Sequence, residues 1–253
     1  MRLVDLTQPW GAQMPTWPQF EPIEVKAIHS HHRHAKSTLS VKLNMHTGTH
    51  LDAPIHYWPT GKHLGQIPLE DLVGTGLVID LSPLCRPWTL YTLEQVLQAA
   101  PEPIREGDIV VLYTGWHRYN WAEGSPDEVC YFDKHPGPHP EVIDELVSKR
   151  AKWIGTDTPS LDHSLDTAIR AMRPDLVEEY EVLTGQPIEA TLPRKWLEYS
   201  HVTTAKANIP LVENLAGDIR QVLGRRVTLG AFPWRWEGGE ACVCRVVAFL
   251  DEG

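Results

Sequence analysis

The stretch from Asn44 to His56 reads NMHTGTHLDAPIH and carries three histidines and one aspartate within eleven positions. Its pattern is His-x-x-x-His-x-Asp-x-x-x-His, formed by His46, His50, Asp52 and His56. Neutral imidazole nitrogen and carboxylate oxygen are ligands that suit Zn²⁺, Mn²⁺ or Fe²⁺. A histidine-rich surface loop is the competing interpretation, since the chain holds 13 histidines. The interleaved aspartate and the glycine at the bend favour a metal site.

The backbone of this stretch is not expected to be helical. Thr47-Gly48-Thr49 has low helix propensity, and Pro54 would interrupt a helix. We predict a strand from Leu39 to Met45 that runs into a turn hinged at glycine, which lets the backbone turn tightly or approach a metal. Catalysis by such a site needs a coordination position open for water. His56 is then either a fourth ligand or a free imidazole that exchanges protons beside the metal.

A second pair of polar residues, His201 and Glu213, lies late in the chain. A predicted helix from Ser200 to Asn208 and a predicted strand from Ile209 to Val212 would bring them toward one end of a sheet. A charge at the end of an apolar strand is unusual without a partner. From the residues alone, however, a solvated strand end is the simpler interpretation of Glu213.

Composition limits the class of protein. The 253 residues, 42% hydrophobic and 22% charged, are typical of a globular protein and are interpreted as one domain spanning 1–253. No apolar run has membrane-spanning length, and residues 1–6 lack the apolar stretch of a signal peptide, so a cytoplasmic location without membrane contact is expected. The net charge of −10 argues against a nucleic-acid partner. The four cysteines have no framework spacing and are expected to be reduced.

Predicted strands and helices alternate early in the chain, and strands cluster late, which indicates a mixed α/β domain. A capping-box pattern begins one helix, and a proline lies in the first turn of another. The predicted strands are Gly76–Leu81, Ile109–Thr114, Trp153–Thr156, Val227–Phe232 and Ala241–Leu250. The predicted helices are Thr92–Ala100, His139–Ala151, Leu165–Met172, Asp175–Leu183 and Asp218–Gly224.

Three segments outside the motif have distinctive composition. The proline-rich residues 1–28 predict an extended arm. Within it, Trp17 either plugs the core or overhangs a pocket as a wall for an aromatic ligand. The tract from His29 to His34 lacks carboxylates and is interpreted as a solvated loop. The polar residues 164–200 are interpreted as an elaboration of the domain.

The motif from His46 to His56 resembles the His-x-Gly-Thr-His-x-Asp-x-Pro-x-His signature of the putative cyclase family of metal-dependent hydrolases. Bacterial kynurenine formamidases and isatin hydrolases are members of that family. Weaker similarity extends over most of the chain, in Asp5–Thr7, Pro15–Pro18, Gly155–Ser160, His201–Leu215 and Phe232–Phe249.

The resemblance implies a three-layer β/β/α core of the swivelling-domain type, assembled as a homo-oligomer, either a dimer or a tetramer. It also implies one or two divalent ions per chain, Zn²⁺ or Mn²⁺. The first would be bound by His46, His50 and Asp52, and the second by Asp52, His201 and Glu213. By the same resemblance His56 is the catalytic acid and base, and Trp17 contacts the substrate.

The expected function is hydrolysis of a linear or cyclic amide of a small-molecule substrate by metal-activated water. A metal-dependent lyase or cyclase, or a non-catalytic metal or small-molecule binder, are the alternatives. Two points bear on how the family's properties apply to this chain. Residues 164–200 lengthen the segment before His201, and the family also has members with a single metal. Asp157 and Asp162 either orient ligands or cap turns.

Overall fold

A nine-stranded mixed sheet forms the centre of the molecule in the computed structural model, which describes residues 1–123 and 126–251. From one edge to the other its strands are β1 (Arg2–Asp5), β13 (Arg245–Leu250), β11 (Arg225–Phe232), β5 (Val73–Asp80), β7 (Ile109–Tyr113), β9 (Ile154–Thr156), β10 (Leu211–Glu213), β4 (His50–Asp52) and β12 (Ala241–Val243). The four strands β5, β7, β9 and β10 run parallel, and the outer strands pair antiparallel. This mixture explains why helices alternate with strands only in the middle of the chain.

The α-helices of the described residues are short. Helix α3 (Leu93–Ala99) begins where predicted, because the side chains of Thr92 and Gln95 each accept the other's backbone N–H. The α-helices are α1 (His31–His34), α2 (Leu69–Leu72), α3 (Leu93–Ala99), α4 (Pro140–Ser148), α5 (Ile169–Met172), α6 (Pro174–Thr184), α7 (Ile188–Thr191) and α8 (Tyr199–Lys206). The predicted helix at Asp218–Gly224 is only a 3₁₀ turn, Ile219–Val222. Within the described residues, no helix is long and apolar enough to cross a membrane.

Apolar clusters cover both faces of the central strands, because alternate residues of a strand point to opposite faces. Val110 and Leu112 of β7 pack with helices α3 and α4, whereas Val111 packs with strands β1, β11 and β13 of the curled sheet. The result is the predicted mixed α/β domain with a three-layer β/β/α core, which is confirmed.

The strand predicted at Leu39–Met45 ends at Lys42 and does not belong to the central sheet. Strand β3 (Thr38–Lys42) pairs with β2 (Glu24–His29) in a separate two-stranded hairpin, and its residues are all exposed. Alternate apolar residues of the two strands form one exposed face of this hairpin, where Val25 lies opposite Val41 and Ala27 opposite Leu39. The turn that carries the motif therefore follows an exposed hairpin rather than a strand of the core.

Two further predictions need correction. The tract interpreted as a solvated loop, His29–His34, is exposed after the half-buried His29, but it forms the last residue of β2 and the single-turn helix α1 at the end of the hairpin. The strand predicted at Ala241–Leu250 is divided at Cys244 into β12 and β13, which pair with different neighbours. Alternation of apolar residues continues through the break, so the pattern alone could not reveal it. The extended arm contains a true edge strand, β1.

The elaboration at 164–200 has a small apolar core of its own. Its members come from helices α5, α6 and α7, including Tyr180, and from Leu165, Leu192 and Trp88 outside those helices. Two short parallel strands, β6 (Leu90–Tyr91) and β8 (Gly137–Pro138), lie near this region. All four cysteines are free thiols, as expected.

Candidate metal centre

Strand β4 brings the middle of the motif into the core. Its three residues are buried between β10 and β12, and the antiparallel register sets Glu213 opposite His50. The preceding turn needs glycine at position 48, where φ is +69° and an added Cβ would lie 3.0 Å from the Met14 side chain. The carbonyl oxygen of Gly48 lies 2.8 Å from Nδ1 of His50, so this nitrogen donates to it and Nε2 faces the site.

Three imidazoles surround the Asp52 carboxylate. Oδ1 of Asp52 lies 2.8 Å from Nδ1 of His46 and 3.2 Å from Nε2 of His50. Oδ2 of Asp52 lies 3.6 Å from Nε2 of His201. The Glu213 carboxylate closes the other side, with its oxygens 3.6 Å from Nε2 of His50 and 3.4 Å from Nε2 of His201. The structure thus brings together all five residues predicted to bind metal.

Helix α8 carries His201, and Asp162 fixes its orientation. Nδ1 of His201 donates to Asp162 at 2.6 Å, and the backbone N–H groups of Ser200 and His201 donate to the same carboxylate. Of the two interpretations open for Asp162, the structure favours the orienting one. Asp157 lies elsewhere, since its partners are Thr114 and His117.

The donor set fits a divalent cation. Nε2 of His50 and both oxygens of Asp52 are buried without a hydrogen-bond partner. Buried charge without a partner is costly, and a cation removes that cost. Two groupings of side chains offer ligand atoms within 4.8 Å of one another around the shared Asp52. One is His46, Asp52 and His56, and the other is His50, Asp52 and Glu213.

The electrostatics show the same need for positive charge. Burial lowers the pKa of His46, but the Asp52 and Glu240 carboxylates outweigh it and raise this pKa to about 10. Burial likewise opposes ionisation of Asp52, yet the charges of His46 and His50 and the close contacts with His201 and His46 hold its pKa well below the usual range. A divalent ion would supply positive charge at the same place.

His56 lies at the end of a 3₁₀ turn, Pro54–His56, beside this cluster. Its ring centroid is 4.3 Å from that of His46, and its Nδ1 is 3.5 Å from Oε2 of Glu240. Burial lowers the pKa of His56 to about 4, and the neighbouring charge of His46 acts in the same direction against the opposing effect of Asp52. His56 is therefore a neutral imidazole within reach of the cluster.

A cavity of about 270 Å³ opens above the cluster. Trp17 lines it as a half-buried wall and packs edge-on against Phe132, with ring centroids 6.1 Å apart. Trp17 also touches the apolar core of the 164–200 elaboration. Six aromatic side chains line the cavity, namely Trp17, Phe20, Tyr57, Trp121, Tyr131 and Phe132.

Sequence reasoning missed several residues of the site. Tyr57 follows the motif directly, lies 4.6 Å from the ring of His201, and donates its hydroxyl hydrogen to Glu198 at 2.9 Å. Glu198 precedes α8 in a left-handed conformation, with φ of +54°. Glu240, just after Gly238 and Gly239, approaches His46 to 2.8 Å. The glycine pair before a strand is the one local feature of the sequence that could have pointed to Glu240 as part of the site. No local feature points to Glu198.

Comparisons with known proteins agree with this architecture. The sequence model of the family described as "Putative cyclase" matches residues 4–163, which include the central motif and precede His201 and Glu213. Isatin hydrolase A from Labrenzia aggregata bound to benzyl benzoate is 23% identical with a TM-score of 0.76, over 98% of this chain and 93% of that one.

Two other solved structures are similarly close. An isatin hydrolase bound to the product analogue thioisatinate is 22% identical with a TM-score of 0.77, over 99% of this chain and 92% of that one. A potential metal-dependent hydrolase with cyclase activity is 21% identical with a TM-score of 0.69, over 100% and 99% of the two chains. At these identities the likeness establishes the fold.

Proposed function

Because this chain belongs to the putative cyclase family, we propose that it is a metal-dependent hydrolase that cleaves the carbon–nitrogen bond of a linear or cyclic amide. The observation that carries the proposal is the buried Asp52 carboxylate, which faces three imidazoles at the floor of an aromatic cavity without a hydrogen-bond partner. A non-catalytic binder of metal or of small molecules would not need the free imidazole of His56 beside this carboxylate, whereas a hydrolase does.

The residues divide into two sets of ligands for Zn²⁺ or Mn²⁺. His46, His50 and Asp52 would hold one ion, and Asp52, His201 and Glu213 a second. A divalent ion in such a site lowers the pKa of water from 15.7 to about 7 and polarises a carbonyl group.

His56 supplies the proton transfer. It is a neutral imidazole in the cavity wall, so it can accept a proton from the attacking water and return it to the leaving nitrogen. Glu240 lies beside Nδ1 of His56 and would stabilise the imidazolium that forms between the two steps.

The cavity lining favours an uncharged aromatic amide. Its aromatic side chains supply flat apolar walls, with Trp17 as the wall nearest the elaboration. Among the described residues, no lysine or arginine lines the cavity, whereas Glu198 and Glu213 do. A substrate with its own free carboxylate would therefore find no basic side chain among these lining residues.

Turnover of an amide panel tests the proposal. The metal-free protein, the protein reconstituted with Zn²⁺ or Mn²⁺, and Asp52→Ala would be offered N-formylanilines, aromatic cyclic amides and carboxylate-bearing analogues. Metal-dependent release of the amine and acid from the uncharged amides is expected. Loss of water without carbon–nitrogen cleavage would instead identify a lyase or cyclase, and no turnover with metal bound would identify a binder.

We also infer that the chain assembles as a homo-oligomer, a dimer or a tetramer. The β2–β3 hairpin supports this inference, because Val25, Leu39 and Val41 on one of its faces are 37%, 58% and 42% exposed. An isolated two-stranded hairpin has little stability by itself in water. A second copy that covers the apolar face would stabilise it.

A further inference from the structure

Strand pairing fixes the position of Glu240. Ala241 lies opposite Asp52 in the β12–β4 register, and the N–H of Ala53 donates to the carbonyl oxygen of Glu240 at 2.8 Å. The side chain of Glu240 is consequently held beside the motif, although it comes from the far end of the chain. Its side chain remains 44% exposed.

Glu240 contacts the nitrogen of His46 that points away from the cluster. Oε2 of Glu240 lies 2.8 Å from Nε2 of His46, while Nδ1 of His46 lies 2.8 Å from Oδ1 of Asp52. An imidazole that binds a metal carries one ring proton, on the nitrogen that is not bound to the metal. With that proton on Nε2 and donated to Glu240, the lone pair of Nδ1 faces Asp52 and the proposed ion.

The other two imidazoles have equivalent acceptors. His50 donates from Nδ1 to the carbonyl oxygen of Gly48 at 2.8 Å, and His201 donates from Nδ1 to Asp162 at 2.6 Å. Each histidine of the cluster therefore has an oxygen on its outward nitrogen. His46 differs because its inward nitrogen is Nδ1, so its acceptor must come from another side, and Glu240 occupies that side.

We infer that Glu240 is a positioning residue for His46, which it holds in the tautomer that directs Nδ1 toward the metal. Acceptors of this kind orient metal-binding histidines and raise their basicity, and their loss weakens metal affinity by about 10- to 100-fold. The inference rests on the proposed metal site.

Glu237 provides a matched control in the same loop. Its Oε2 lies 3.7 Å from Nε2 of His63, and its side chain is 78% exposed. Glu237→Gln removes a carboxylate near a histidine that is outside the cluster. Glu240→Gln keeps an oxygen able to accept from Nε2 and removes the charge, whereas Glu240→Ala removes the acceptor.

Zinc titration against a chromophoric chelator would measure affinity and stoichiometry for the full-length wild type and the three variants. We expect Glu240→Ala to bind zinc about 10- to 100-fold more weakly at one site with the wild-type number of ions. Glu240→Gln should be intermediate, and Glu237→Gln should match the wild type. Nitrogen-15 NMR of the zinc-loaded wild type should show the His46 proton on Nε2.

Wild-type affinity in Glu240→Ala, or a zinc-loaded His46 with its proton on Nδ1, would overturn the inference and leave the metal site standing. Loss of one whole ion in both Glu240 variants would also overturn it, because Glu240 would then be a ligand. A wild-type protein that binds no zinc or manganese would refute the proposed function itself and the inference with it.

Discussion

Asp52 is the residue on which both proposed ions depend. Its two oxygens face different imidazoles, His46 and His50 on one side and His201 on the other. A carboxylate shared in this way can bridge two ions, as in two-metal hydrolytic sites. Removal of Asp52 therefore affects both sets of ligands, whereas removal of His201 affects one.

Asp52→Ala should lose metal more completely than His201→Ala. Elemental analysis of the purified variants measures this directly, with the wild type as the reference. Circular dichroism would verify that both variants fold. An Asp52→Ala protein that retains its full complement of metal would contradict the ligand assignment.

His56→Ala should keep its metal and its fold and lose about 10²–10⁴-fold in kcat, the usual contribution of a positioned acid and base. In the proposed site three ligands come from His46, His50 and Asp52, so the ion would not require His56. His32→Ala, in the exposed helix α1, is the control for removal of a histidine and should be fully active. A metal-free His56→Ala protein would make His56 a ligand.

Trp17→Ala should raise KM with little effect on thermal stability, because Trp17 is a half-buried wall of the cavity. Trp116→Ala is the contrasting variant, since Trp116 is fully buried and such truncations cost about 3–5 kcal/mol. Thermal melts and Michaelis constants of both variants distinguish a cavity wall from a core plug. A loss of stability in Trp17→Ala as large as in Trp116→Ala would favour the core-plug interpretation.

At the scale of elements, the sequence predicts what is local and misses what depends on register. The cap of α3 at Thr92 and the buried run of β7 follow from adjacent residues, and both are confirmed. The residues at the acidic end of β10 taken alone favour a solvated strand end, yet Glu213 is only 3% exposed. Its burial comes from pairing with β4, a partner distant in sequence, which no local pattern contains.

The same limit explains the hairpin and Glu240. The strand predicted at Leu39–Met45 is present in part as β3, but the sequence of a strand does not show what covers its apolar face. Glu240 approaches His46 only because β12 pairs beside β4 and the strand is interrupted at Cys244, before β13 begins. Composition near residue 240 shows neither the break nor the neighbour.

Val41→Lys should weaken the oligomer, because it places a charge on the apolar hairpin face opposite Val25. Ser40→Lys is the matched control, since the adjacent residue points to the other face of the same strand. Light scattering after size-exclusion chromatography gives the molecular mass of each. Equal masses for both variants and the wild type would show that this face is not the interface.

At the scale of the whole molecule, the proposed ions bind between strands that are far apart in sequence. Binding to the folded state alone stabilises it by RT ln(1 + [L]/Kd), about 2.7 kcal/mol at a free concentration of 100 Kd. For a chain of this size such a change corresponds to a shift in Tm of about 5–10 °C.

Chelation should therefore lower the Tm of the wild-type protein by about that amount. Asp52→Ala should melt at the same temperature with and without chelator, because it has no ion to lose. Differential scanning calorimetry measures both. Elemental analysis would first show that the wild-type protein contains metal. If its Tm then did not change on chelation, the ion would not stabilise the fold, and it would not bind between these strands.

The placement of β4 between β10 and β12 also sets an order of events during synthesis. The motif strand emerges from the ribosome early, but both of its sheet neighbours lie beyond residue 210. A nascent chain that ends before Glu213 has an incomplete set of ligands and an unpaired motif strand. In the proposed site the full set of ligands is thus present only when nearly the whole chain has been made, and a truncated translation product would carry His50 and Asp52 on a strand without its sheet partners.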